Sequence, residues 1–125
     1  ITVRDAATRA AIAALAGELD AEMALRAWES AMAAASWTGP PVWVHGDVMP
    51  GNLIVAEGRL SAVIDFGGLG VGDPACDLMA AWTVFADAGA RRAFRKALAP
   101  DAAAWARGRG WALHQGLLAA PGEQA

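Results

Sequence analysis

Between Val42 and Gly67 the chain reads VWVHGDVMPGNLIVAEGRLSAVIDFG, and His45, Asp47, Asn52 and Asp65 stand out there against apolar runs. Two carboxylates, an amide and an imidazole at this spacing suit phosphoryl transfer, in which a hydroxyl nucleophile must be oriented and Mg2+ held against nucleotide phosphates. Asp47 is placed to accept a hydrogen bond from the attacking hydroxyl and its proton late in transfer, a contribution of about 10²–10⁴ in rate. Asp65 offers hard carboxylate oxygens to Mg2+, with the Asn52 amide oxygen as a neutral second ligand. His45, the other member of the catalytic set, is expected to brace the loop rather than react. Taken singly, each residue is explained as well by a turn. Their joint register between strand signals is what points to chemistry.

The elements that must position them can be read on either side. Residues Thr2 to about Ala35 carry apolar side chains at helical spacing, including Ile12, Leu15, Leu19, Trp28 and Met32. Gly17 weakens the middle and Asp20 can cap a second start, so two helices are expected. SWTGPP then stops the helix, because Pro41 lacks an N–H and biases Pro40 away from the α region. Short strands are expected at Val42–Val44, Leu53–Ala56 and Leu60–Ile64, with a tight turn at Glu57-Gly58. Asp73-Pro74 reads as cap and first position of a helix to about Asp87. Another covers roughly Ala90 to Leu98, and Pro100-Asp101 opens a last one through Trp105, Trp111 and Leu117.

His45-Gly46-Asp47 followed by Asn52, a short apolar hairpin and Asp65-Phe66-Gly67 is similar to the protein-kinase order H-R-D-x-x-x-x-N and D-F-G. A hairpin returns the chain to its starting edge, which brings both carboxylates to one side of a cleft. HGDVMPGNLIV, AVIDFG and GVGDPACDL together resemble the aminoglycoside phosphotransferase family, small-molecule kinases with a protein-kinase-like fold. The resemblance implies Asp47 as the catalytic aspartate and Asn52 and Asp65 as magnesium ligands. It also implies Asp77 as an anchor of the catalytic loop, since an acid within the apolar run Pro74 to Ala81 needs hydrogen-bond partners. Gly46 departs from the protein-kinase arginine. Met49 stands where related loops often carry a cationic or imidazole side chain, which puts a phosphate contact from there in doubt. The expected fold is α+β, mainly helical, a kinase-like C-terminal lobe whose short β-hairpin carries the catalytic and metal-binding loops.

Composition narrows the rest. The 125 residues suit one domain, and the net charge of −3 excludes the basic face that nucleic acid needs while favouring a cationic acceptor. Cys76 is the single cysteine, so no intrachain disulfide forms and a reducing, cytoplasmic setting is expected. No apolar run reaches membrane-spanning length. GGLGVGD mimics a dinucleotide loop, but from Gly68 the third glycine falls on Asp73, whose carboxylate would repel a pyrophosphate. Two histidines are a thin set for a zinc hydrolase. A non-catalytic binding or scaffolding domain of the same fold is the rival from another class. Before His45 the only glycines are Gly17 and Gly39, and the only lysine is Lys96. No glycine-rich loop or strand lysine therefore covers an ATP or GTP phosphate. The expectation is a fragment lacking its nucleotide-covering N-terminal lobe, inactive alone unless that lobe or self-association completes it.

Overall fold

The computed structural model describes residues 1–118. A 3-10 turn at Thr2–Arg4 leads into α1 (Asp5–Ala14), and α2 follows at Ala21–Ala33. Asp20 separates them as expected: its side chain accepts the Met23 N–H at 3.0 Å and caps α2. After the Pro40-Pro41 break comes β1 (Val42–Val44), then β2 (Leu53–Ala56) and β3 (Arg59–Val63), which form an antiparallel hairpin. Glu57 and Gly58 both have positive φ, 55° and 76°, the two-residue turn whose twist matches the flanking strands.

Two departures from the sequence reading matter. A strand that alternation does not mark, β4 (Gly70–Gly72), pairs antiparallel with β1, Val42 opposite Gly72 and Val44 opposite Gly70. Two of its three residues are glycines, so the pairing is made by backbone groups and leaves no side-chain pattern. The helix expected from Pro74 to Asp87 is instead a 3-10 stretch, Pro74–Met79, followed by the single-turn α3 (Ala80–Thr83). Ala75, Leu78 and Met79 are buried there while Asp77 is committed to the loop after β1, and these side-chain demands outweigh regular α-winding. α4 (Ala88–Leu98) starts two residues earlier than expected, because the Asp87 carboxylate accepts the Ala90 N–H at 2.9 Å. α5 (Ala102–Leu118) is capped by Asp101 through the Ala104 N–H at 2.7 Å.

α5 is the central post. Ile12, Leu15, Trp28 and Leu117 form one buried cluster, and Ala75, Leu78 and Ala104 form another with Phe94 against it. Close approach needs small residues on α5: a Cβ at Gly110 would stand 2.5 Å from the Ala31 Cβ, and one at Gly108 2.7 Å from the Leu78 Cβ. Trp28 is fully buried and donates its indole N–H to Asp5 Oδ1 at 2.7 Å, where Arg9 also donates at 2.8 Å. The Trp28 bond first, and then Arg9, hold the Asp5 carboxyl below the usual range. Arg107, 4% exposed on α5, donates to both Asp73 oxygens at 2.8 and 3.3 Å and to the Ala35 carbonyl. That pair ties the 3-10 stretch to α5 and to the end of α2. Among the described residues no helix is long and apolar enough to cross a membrane.

Candidate active site

The loop between β1 and β2 is held by a carboxylate arriving from the 3-10 stretch. Asp77 Oδ2 accepts the His45 N–H at 2.8 Å and Oδ1 accepts the Gly46 N–H at 2.9 Å, so one side chain satisfies two consecutive backbone donors. Thr83 adds a tie from α3, its hydroxyl donating to the Val48 carbonyl at 2.7 Å.

His45 is buried, with an edge-on contact to Phe66 at 4.8 Å between ring centroids. Its Nε2 lies 2.8 Å from the Ile64 carbonyl oxygen, and its Nδ1 lies 3.1 Å from the Asp47 N–H. A carbonyl only accepts and an N–H only donates, which places the ring proton on Nε2 and the lone pair on Nδ1. Both ring nitrogens are thereby committed to backbone.

Asn52 donates its amide N–H groups to the Asp47 carbonyl at 2.8 Å and to Asp47 Oδ2 at 3.1 Å. Its backbone carbonyl accepts the Ile64 N–H at 2.9 Å. Ile64, the residue before Asp65, is therefore gripped on its N–H by Asn52 and on its C=O by His45. Those two bonds bring Asp65 to the Asp47–Asn52 loop. Asp65 itself sits in the left-handed region at φ 60°, exposed, with Oδ1 only weakly engaged by the Gly67 N–H at 3.4 Å. Such a conformation is costly for most residues and better tolerated by aspartate.

Gly46 and Gly68 play parts that residue chemistry does not announce. Gly46 has φ 89°, and a Cβ there would lie 2.4 Å from the Gly68 carbonyl oxygen. Only glycine lets the backbone after Asp65 rest on the loop between β1 and β2 at this distance. The signal was present in the sequence as the glycine run after Asp65-Phe66, yet nothing local says that it meets Gly46. Arg107 is the other missed residue, one of two arginines, with Arg109, on a helix of mostly small and apolar residues, and nothing local distinguishes the buried one from the exposed one. Cys76 is partly buried near Gly46. Burial first, and then the Asp77 and Asp73 carboxylates, push its thiol up to about 11.

The donors fit Mg2+. Asn52 presents an amide oxygen with no hydrogen-bond partner among the described residues, Asp65 an exposed carboxylate, and both are hard oxygen ligands. Among the described residues no group of three or more His, Cys, Asp or Glu is set to hold a metal unaided. The surrounding surface is apolar, with Trp43 73%, Val55 65% and Leu60 62% exposed on the two small sheets.

No curated protein and no solved structure matches the chain. Residues 2–111 match the APH family of phosphotransferase enzymes, a span that includes His45, Asp47, Asn52, Asp65 and Asp77 and ends within α5. The resemblance carried by HGDVMPGNLIV, AVIDFG and GVGDPACDL is thus matched across most of the chain, and the protein belongs to the APH phosphotransferase family.

Proposed function

We propose that the chain is the acceptor-side, C-terminal lobe of a small-molecule kinase that moves the γ-phosphate of ATP or GTP to a hydroxyl. The reading rests on one observation above the others: Asn52 is bonded at once to Asp47 and, through Ile64, to the segment of Asp65. Asp47 Oδ2 is occupied by Asn52, which leaves Oδ1 to accept the hydrogen bond of an incoming hydroxyl. As the new O–P bond forms and the bond to the β-phosphate oxygen breaks, the hydroxyl proton passes to Asp47. Asn52 and Asp65 would hold Mg2+, which when bound neutralises charge on the transferring phosphate. His45 and Asp77 act on position alone, fixing the loop so that Asp47 is preorganised.

Turnover in this reading needs a covering lobe with a glycine-rich loop and a strand lysine; in these 125 residues the one lysine, Lys96, lies on α4. The exposed Trp43, Val55 and Leu60 are the apolar surface such a lobe would bury. The test is phosphate transfer from Mg-ATP or Mg-GTP by the protein with its covering lobe, against hydroxylated metabolites and aminoglycosides. Asp65→Asn is expected to weaken both nucleotide binding and turnover. A non-catalytic binding domain would give no Mg-dependent transfer to any member of the panel.

A further inference from the structure

Two cavities lie on either side of Trp82, behind the catalytic loop. The larger, about 570 Å3, opens beside Met49 and Thr83 and is walled mainly by Leu15, Leu19, Leu113 and other apolar side chains. Among the described residues its charged lining is Asp20 and Arg109. Met49 places it at the reacting end: its N–H donates to the Asp47 carbonyl at 2.9 Å. The smaller cavity, about 440 Å3, shares Ala27, Trp82 and Arg109 with the first, adds Arg91, Arg92 and Arg95, and among the described residues has no carboxylate in its wall.

Four guanidinium groups converging on one hollow are unexpected in a chain of net charge −3. The ion pairs among the described residues are made by Arg9, Arg26 and Arg107, so none of the four is neutralised. Two are fixed in place. Arg91 donates to the Ala81 and Phe85 carbonyls at 2.8 and 3.1 Å, and Arg95 lies 4.6 Å from the Trp105 ring centroid. Arg92 and Arg109, both exposed, make no hydrogen bond or ion pair among the described residues. Asp87, the acid nearest to α4, spends Oδ2 on capping that helix. Asp87 Oδ2 and Arg92 Nη2 lie 3.0 and 3.7 Å from the same point beside Gly89, and Asp20 lines the cavity that shares Arg109, so four guanidinium groups face two nearby acids with no ion pair formed among the described residues. That surplus favours an anion, and guanidinium forks match carboxylate and phosphate oxygens.

Resting on the phosphotransferase reading, we propose that the acceptor is an anionic, amphipathic alcohol. Its apolar body fills the larger cavity with the hydroxyl towards Asp47, and its carboxylate or phosphate group sits against Arg92 and Arg109. The overall charge favours a cationic acceptor, but the local charge at the cavities is of the opposite sense, and local charge acts at contact distance where bulk charge is screened.

Three ten-carbon probes with hydroxyl and head group at opposite ends test this by calorimetric titration of the chain: 10-hydroxydecanoate, its uncharged methyl ester, and cationic 10-amino-1-decanol. The acid is expected to bind at least about ten-fold more tightly than either of the others. Arg92→Gln with Arg109→Gln should erase the preference over the ester, and each single variant should reduce it, with the melting temperature checked for every variant. Equal or tighter binding of the ester or the amino alcohol, no binding of any probe, or a preference that survives both substitutions would overturn the proposal. Turnover with the covering lobe separates the two layers of inference. Phosphorylation of amino alcohols or aminoglycosides in preference to 10-hydroxydecanoate overturns the acceptor class alone, whereas transfer to no alcohol at all overturns the phosphotransferase reading beneath it.

Discussion

Replacing Gly46 by alanine probes the contact that joins the two halves of the site. At φ 89° an L-residue meets the left-handed penalty, about 1–2 kcal/mol. The added Cβ would also stand 2.4 Å from the Gly68 carbonyl oxygen, a backbone atom that moves only if the segment after Asp65 moves with it. Overpacking of this kind costs a further 1–3 kcal/mol or so, giving about 2–5 kcal/mol in all. Gly58 is the internal control: its φ is 76°, but nothing lies within 4 Å of its Cβ position, so Gly58→Ala should cost only about 1–2 kcal/mol. Gly51, with open space and no positive φ, should change stability by no more than about 0.5 kcal/mol. Urea unfolding followed by circular dichroism ranks the three, with the slope of each transition checked for constancy. If Gly46→Ala is no worse than Gly58→Ala, the Gly46–Gly68 contact does not hold the site together and the reasoning fails.

Asp77→Ala leaves the His45 and Gly46 N–H groups without their carboxylate, so a loss of about 2–4 kcal/mol is expected in the same unfolding assay; a change under about 0.5 kcal/mol would refute the clamp. Because Trp28 and Arg9 lower the folded-state pKa of Asp5, its stabilisation is fully present above the usual carboxylate value and is lost as pH falls through the lowered one. The melting-temperature gap between wild type and Asp5→Asn should therefore be open at pH 7 and close below about pH 4, and a gap constant down to pH 3 would contradict this. With its thiol pushed up to about 11, Cys76 should resist a disulfide reagent at pH 8 until urea unfolds the chain. Full labelling of the folded chain within minutes would show that the thiol is not protected.

What could be read from the sequence was local. Asp20, Asp73, Asp87 and Asp101 each bond to a backbone N–H two or three residues ahead, so cap and helix start are written in the same few residues, although Asp87 was expected to end a helix rather than open one. Glu57-Gly58 is likewise a two-residue instruction. The site motif was legible because its members stand at fixed spacing around one hairpin. What escaped was made by partners distant in the chain. β4 takes its register from β1, the glycine run after Asp65 from Gly46, and Arg107 its charge partner from Asp73. The arginines of α4 read singly as a solvated face, and only the packing of α4 beside α5 sets Arg91, Arg92 and Arg95 around the same hollow as Arg109.

The central claim is that Asp47, Asn52 and Asp65 form one Mg-dependent phosphoryl-transfer site. Its most direct test is label transfer from γ-labelled ATP and GTP to a panel of hydroxylated acceptors, by the protein with its covering lobe, comparing wild type with Asp47→Asn. The expected result is transfer that requires Mg2+ and falls at least about 10²-fold in Asp47→Asn while Mg-nucleotide affinity stays nearly unchanged. Near-normal transfer by Asp47→Asn with the best acceptor would contradict the account.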